Sequence, residues 1–127
     1  MTMPKRIFTP QEANRRLPLI RKIVLDILDK GKRFRSLAEN QKAAEGLPAE
    51  AATLQAQIEG LIDELEDLGC YFKDWRFEIG LVDFPAVIDG QEVFLCWRSD
   101  EPDVRWYHPV QEGYASRQPI PSEGFSN

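Results

Sequence analysis

Residues 81–98, LVDFPAVIDGQEVFLCWR, decide the fold of this chain. Two runs rich in apolar and β-branched residues, Leu81–Ile88 and Glu92–Arg98, flank the dipeptide Asp89-Gly90. Asp and Gly tolerate the positive φ angles of a two-residue hairpin turn, so the stretch predicts two antiparallel strands. Pro85 has no amide hydrogen to donate, and we expect it on a sheet edge or at a bulge.

The turn also predicts which side chains share a face of the hairpin. Counting outward places three apolar pairs on the expected core face: Ala86 with Val93, Phe84 with Leu95, and Val82 with Trp97. The opposite face then carries Val87 with Glu92, Pro85 with Phe94, Asp83 with Cys96, and Leu81 with Arg98. A bulge at Pro85 would move Asp83 to the core face.

Shorter strand signals lie on both sides of the hairpin. We expect a short strand within Cys70–Lys73 and a third main strand at Val104–His108, which Pro109 ends. Residues 111–127 are rich in Gly, Pro and Ser, and are expected to be irregular and frayed at the end.

The N-terminal half predicts two helices. Thr9-Pro10-Gln11-Glu12 has the pattern of a helix start: a hydroxyl N-cap, proline at the first helical position, and glutamate three residues after the cap. Apolar residues then recur three and four apart, first from Ala13 to Ala38 and again from Leu54 to Leu68. Pro18 should bend the first helix, because it removes one backbone hydrogen bond.

The helix ends are also marked. We expect the first helix to run to about Asn40, with a connection that contains Gly46 and Pro48. Gly69 should end the second helix.

These elements predict an α+β fold in one domain, residues 1–127, of a length that suits a single core. A long antiparallel helical hairpin (residues 9–69) packs on a small antiparallel sheet of three or four strands (residues 70–110), and an irregular tail (residues 111–127) follows. A sheet of three or four strands is too small to cover the apolar faces of both helices. We therefore expect a homodimer formed through the helices.

Composition excludes several classes of protein. Hydrophobic residues make up 43% and charged residues 29%, which is typical of a folded globular protein. No run approaches the roughly 18 apolar residues of a membrane span, and the start, MTMPKR, lacks the apolar run of a secretory signal. The two cysteines are not in a Cys-x-x-Cys spacing. We therefore expect a cytoplasmic protein with free thiols and no membrane partner.

The net charge of -5 makes nucleic acid an unlikely partner for the whole molecule, but the charge is uneven. Residues 1–50 carry 11 Lys and Arg against 6 Asp and Glu, and residues 51–127 carry 5 against 15. One interpretation is a basic stripe for phosphate or an acidic protein: Arg15, Arg16, Arg21, Lys22, Lys30, Lys32, Arg33 and Arg35. The favoured interpretation is that these basic residues form a solvent-exposed surface opposite acidic residues of the second helix: Glu59, Asp63, Glu64, Glu66 and Asp67.

The mixed face of the hairpin suggests two kinds of chemistry. Cys96 and His108 would serve as nucleophile and base if Asp83 orients the imidazole. Alternatively, Asp83, Cys96 and His108, with Glu112 four residues further on, would ligate a divalent metal. The plainer interpretation is that a lone strand cysteine is a small buried apolar residue, with no metal bound.

The leading hypothesis is a non-enzymatic binding module that recognises a small ligand or a partner protein. Its binding residues are expected to be Asp83, Cys96, Trp97, Arg98, His108 and Arg117. An aromatic wall would contribute through Phe94, Trp97, Trp106, Tyr107 and Tyr114, together with the charge of Arg105. The competing interpretation places these rings in the core or a dimer interface. No cofactor is indicated, so its identity stays unknown.

Several segments together resemble the bacterial family called domain of unknown function 2203, over nearly the whole chain. They are FTPQEANRRLP (8–18), GLVDFPA (80–86), LCWR (95–98), Glu101-Pro102, Tyr107-His108, and a late run from Gly113-Tyr114 to Arg117-Gln118-Pro119. The chain departs from that pattern at Ser99-Asp100 and Ser116, where glycines are expected, and at Tyr107, which separates Trp106 from His108. The resemblance implies the fold boundaries and no reaction.

Overall fold

A computed structural model describes residues 6–39, 46–74 and 76–121, and shows an α+β fold. In the described residues the sheet has five strands, all antiparallel, in the order β1-β2-β3-β4-β5. The elements are α1 (Pro10–Glu39), α2 (Ala49–Asp67), β1 (Tyr71–Phe72), β2 (Leu81–Ile88), β3 (Gln91–Arg98), β4 (Trp106–Pro109), a 3₁₀ turn (Tyr114–Ser116) and β5 (Gln118–Pro119).

The predicted start of α1 is confirmed. The amide of Glu12 donates to the hydroxyl of Thr9 at 3.1 Å, and that hydroxyl donates to the Glu12 carboxylate at 3.1 Å. Thr9 and Glu12 therefore supply hydrogen-bond partners to each other at the start of the helix. The helix continues through Pro18 to Glu39, and the bend at Pro18 stays a prediction. The expected end at Asn40 lies just outside the described residues, as does the connection before Gly46.

The end of α2 is a Schellman motif, as Gly69 predicts. Gly69 has a φ of 95° and its amide donates to the carbonyl of Glu66 at 2.9 Å. The amide of Cys70 donates to the carbonyl of Leu65 at 3.1 Å. These two bonds satisfy carbonyls that the helix end would otherwise leave without a donor.

The hairpin register is confirmed in full. Asp89 and Gly90 have φ angles of 52° and 78°, and every predicted pair from Leu81 with Arg98 to Val87 with Glu92 occurs. Pro85 makes no bulge. Its carbonyl accepts the amide of Phe8 at 2.7 Å, so the proline nitrogen also points away from β3, toward the open edge of β2.

The core lies between the helices and the inner face of the sheet. The apolar hairpin pairs join buried residues of α1, among them Leu17, Ile20, Val24 and Ile27, in one cluster. An exposed ion pair, Arg33 to Glu50 at 3.3 Å, links the two helices. In the described residues, neither helix is long and apolar enough to cross a membrane.

The structure corrects the sheet in two places. It has five strands rather than three or four, because residues 118–119 pair with β4 inside the segment expected to be irregular. The cause is long-range: Ile120 is buried and its amide donates to the carbonyl of Arg105 at 2.9 Å. β4 begins at Trp106 instead of Val104 and includes Pro109. The expected frayed end, residues 122–127, lies outside the described residues.

Candidate functional site

The outer face of the sheet brings one polar residue from each of the three central strands together. Asp83 on β2 is the partner of Cys96 on β3, and His108 on β4 lies diagonally across from Cys96. Their exposed fractions are 5%, 1% and 3%. Asp83 and His108 are the buried polar or charged residues of the described chain.

The three side chains form a compact cluster. Nε2 of His108 lies 3.2 Å from both carboxylate oxygens of Asp83, and Nδ1 lies 2.8 Å from the carbonyl oxygen of Pro109. One ligand atom from each of Asp83, Cys96 and His108 lies within 4.8 Å of the other two. The cluster therefore offers oxygen, sulfur and nitrogen at one point.

The imidazole of His108 faces an acceptor on each of its ring nitrogens. A neutral imidazole has a single N–H, so it can donate to Asp83 or to Pro109 but not to both. The second contact requires either another proton, on the ring or on the carboxyl group, or a cation bound between Nε2 and the carboxylate. A buried polar atom without a hydrogen-bond or metal partner would lower the stability of the folded protein.

The thiol of Cys96 is held in its neutral form. Its sulfur lies within 4.8 Å of a carboxylate oxygen of Asp83, and the charge of Arg117 acts on it from the connection between β4 and β5. Burial raises the pKa of Cys96 to about 12, the charge of Asp83 adds to this, and Arg117 opposes it. Burial also raises the pKa of Asp83, against the lowering effects of His108 and Lys73.

Arg117 lies at the rim of the cluster between two aromatic rings. Its guanidinium is 5.1 Å from the ring centre of Trp106 and 4.4 Å from that of Tyr114. It donates to both carboxylate oxygens of Glu101, at 2.9 and 2.8 Å. The pair is mostly buried, so this is a strong bidentate contact.

The other predicted binding residues are more distant from the cluster. Arg98 contacts the Tyr114 ring at 5.7 Å, donates to the Tyr114 hydroxyl and pairs with Asp100. Trp97 lies on the inner face, fully buried in the core, and its Nε1 donates to the carbonyl of Glu101 at 3.0 Å. Glu112, the fourth candidate ligand, is exposed.

The structure also shows residues that sequence reasoning missed. Glu101, which the sequence marks only through the family resemblance, holds Arg117 and accepts the backbone amide of Arg98 at 2.7 Å. Lys73 stacks on Phe94 at 5.8 Å and lies close enough to lower the pKa of Asp83. The only signal for Lys73 was its expected place at the end of a short strand.

Three residues of the basic stripe bind within the chain. Arg21 donates to the carbonyl of Pro102 at 3.0 Å, Arg33 pairs with Glu50, and Arg35 donates to the carbonyl of Arg76 at 2.8 Å. Among the ion pairs of the described residues, the one that joins the stripe to α2 uses Glu50, so the expected pairing with Glu59, Asp63, Glu64, Glu66 and Asp67 stays a prediction.

Comparisons with known proteins give one family. No curated protein and no solved structure matches the chain. The family described as "Uncharacterized conserved protein (DUF2203)" matches residues 6–120, a segment that contains both helices, the whole sheet and the Asp83, Cys96 and His108 cluster. The chain belongs to this family of uncharacterized conserved proteins, DUF2203.

Proposed function

We propose that this protein binds a divalent transition-metal ion of the zinc class through Asp83, Cys96 and His108. The observation that carries the proposal is the convergence of three different donor atoms within 4.8 Å in a buried cluster. Zinc accepts thiolate, imidazole and carboxylate ligands, whereas magnesium and calcium sites are built from oxygen. The proposal takes up the alternative sequence hypothesis of a metal-binding protein rather than the leading one of a module for a small ligand or partner protein.

The spacing of the donors supports a tetrahedral ion. Two ligands at about 2.0–2.1 Å from a tetrahedral zinc ion lie about 3.3 Å apart. The separation of His108 Nε2 from Asp83 is 3.2 Å. The carbonyl of Pro109 would hold the proton on Nδ1, which leaves the Nε2 lone pair for the metal. With a cation on Nε2 and the proton on Nδ1, both ring nitrogens of His108 would have a partner.

The competing hypothesis, a Cys96 nucleophile with a His108 base, is supported less well. Both nitrogens of His108 are already engaged, by Asp83 and by a backbone carbonyl. A nucleophilic cysteine needs a lowered thiol pKa, whereas burial raises that of Cys96. The geometry favours a ligand role for this thiol.

A cytoplasmic location fits this function and is part of the proposal. Both cysteines are free, and metal binding at Cys96 requires a reduced sulfur. A reducing compartment keeps such a thiol available.

The test is a competition titration of the purified, reduced protein with zinc, together with elemental analysis. We expect one equivalent of zinc per chain, and affinity reduced by more than about 100-fold in Cys96→Ser and Asp83→Asn. Cys70→Ser is the matched control, because Cys70 is an equally buried free cysteine in the core cluster, outside the outer-face cluster. Its affinity should equal that of the wild type.

Cobalt provides a second measurement that does not depend on the stability of the variants. Wild-type protein with one equivalent of Co²⁺ should show a thiolate-to-cobalt charge-transfer band and the visible bands of a tetrahedral ion. The thiolate band should persist in Cys70→Ser. If folded wild-type protein retains no stoichiometric zinc and shows no thiolate band with cobalt, the proposal is wrong.

A further inference from the structure

The proposed metal site is closed, so an ion needs a way in. Each of Asp83, Cys96 and His108 is at least nineteen-twentieths buried. Beneath the cluster lies the core, and the cluster itself stands on the central strands β2, β3 and β4, which are paired along their ladders. Opening from those directions would break the sheet.

The connection between β4 and β5, residues 110–117, ends at Arg117 beside the cluster, and we call this connection the strap. Its last residue, Arg117, lies 5.1 Å from the ring centre of Trp106, the residue that pairs with Cys96 across β3 and β4, and is close enough to lower the pKa of Cys96. Its Tyr114 contacts both Arg117 and Arg98. The two side chains thus connect the strap to the outer face.

The strap is attached to the sheet by side chains. The backbone hydrogen bonds that its described amides make are local: Glu112 donates to Pro109, Ser116 to Gly113, and Arg117 to Tyr114. Between its junctions with the paired strands β4 and β5, the strap is held by the Glu101 and Arg117 ion pair and by the contacts of the Tyr114 ring with two guanidinium groups. Breaking a few side-chain contacts requires far less free energy than opening a strand ladder.

We propose that the strap is the gate of the metal site, and that Tyr114 helps to hold it closed. This inference rests on the proposed function. Ions enter and leave when the strap lifts while the sheet stays folded. Weaker contacts at Tyr114 raise the population of the open form, so they accelerate uptake and release by the same factor. The affinity is nearly unchanged, because the ligands and the closed state stay the same.

The first test needs no metal. The apo protein is treated with iodoacetamide, and alkylation of Cys96 and Cys70 is followed separately by mass spectrometry. In Tyr114→Ala we expect Cys96 to react about ten-fold faster or more, since two cation–π contacts and a hydrogen bond are lost. Tyr114→Phe keeps the aromatic ring, so its rate of Cys96 alkylation should lie between those of the wild type and Tyr114→Ala. Cys70 is the internal control, and its rate should not change.

Asp103→Asn is the matched control variant, because it removes an exposed ion pair with Arg105 outside the strap. It should leave both rates at their wild-type values. If the two cysteines accelerate together in Tyr114→Ala, access occurs by global unfolding and the inference is wrong. Unchanged alkylation of Cys96 in Tyr114→Ala would also overturn it.

The second test uses zinc and a chromophoric chelator. Tyr114→Ala should accelerate both release and uptake by about ten-fold, with a dissociation constant within about three-fold of the wild type. If Tyr114→Ala releases zinc at the wild-type rate, the strap is not the gate of the site. The two proposals fail separately: without bound zinc in any variant the metal function is wrong, whereas the alkylation experiment still decides whether the strap opens.

Discussion

A neutral His108 has a single N–H for the two acceptors around it. The Pro109 carbonyl and the Asp83 carboxylate face different nitrogens of one ring, at 2.8 and 3.2 Å. Burial makes an unpaired acceptor costly, because a polar atom in an apolar surrounding is stabilised little without a partner. A metal ion removes this cost with a positive charge, which is the reason that the cluster is interpreted as a cation site.

Cys70 leads to a prediction on pH and stability. Burial raises the pKa of Cys70 from 9.0 to about 12, partly offset by the charge of Arg6, and its thiol donates to the carbonyl of Leu65 at 3.4 Å. The unfolded chain therefore releases this proton at a lower pH than the folded chain. Between about pH 9 and pH 12 the free energy of unfolding should fall as pH rises, by at most about 1.4 kcal/mol per pH unit for this group.

Urea unfolding across this pH range measures the effect. Cys70→Ser keeps a donor but does not titrate there, so its stability should fall less steeply with pH than that of the wild type. Identical slopes in the two proteins would show that Cys70 contributes nothing to the alkaline decline.

The loop between β1 and β2 shows how one element is held against another. The carboxylate of Asp74 accepts the backbone amides of Arg76, Glu78 and Ile79, at 2.7–3.0 Å. Phe77 has a φ of 58°, a conformation that is uncommon outside glycine, and its ring packs directly on Gly31 of α1. The absence of a side chain at Gly31 is therefore a packing requirement.

Two glycine substitutions on the helices test this contact. A Cβ at Gly31 would overlap the Phe77 ring, whereas a Cβ at Gly60 of α2 would meet open space. Gly60→Ala should stabilise the fold by about 1 kcal/mol through helix propensity. Gly31→Ala should destabilise it by about 1–3 kcal/mol, because the overlap outweighs the same gain. Thermal and urea unfolding compare the two, and a stabilised Gly31→Ala protein would contradict the packing argument.

The whole molecule leaves apolar surface on α1 uncovered. Leu19 and Leu25 are 50% and 54% exposed, and a groove of about 510 Å³ runs beside Leu19 between the two helices. We propose that a second copy covers this surface, which is the homodimer through the helices expected from the sequence.

Light scattering with size-exclusion chromatography at micromolar concentration tests the dimer. The wild type should have twice the mass of the chain, and Leu19→Glu combined with Leu25→Glu should be monomeric, because a charge in an apolar interface is costly. Val87→Glu is the control, since Val87 is equally exposed on the sheet. A monomeric wild type would show the proposal to be wrong.

The sequence by itself determined the local parts of the fold. The capping box at Thr9, the end of α2 at Gly69 and the hairpin register around Asp89-Gly90 all depend on neighbouring residues, so a local pattern contains the information. The register predicted from the turn also pairs Asp83 with Cys96, and the structure confirms this pair. Thus two of the three cluster residues could be predicted as a pair.

Only the tertiary structure decided the rest. His108 reaches Asp83 because β4 pairs with β3, and its approach is set by contacts far apart in sequence, such as Asn14 with Val104, at 2.8 Å. Strand β5 and the position of Arg117 on the Trp106 ring likewise depend on long-range contacts, the latter on Glu101. Such contacts form only when distant segments pack together, and a two-residue strand is too short to have a periodic pattern of its own.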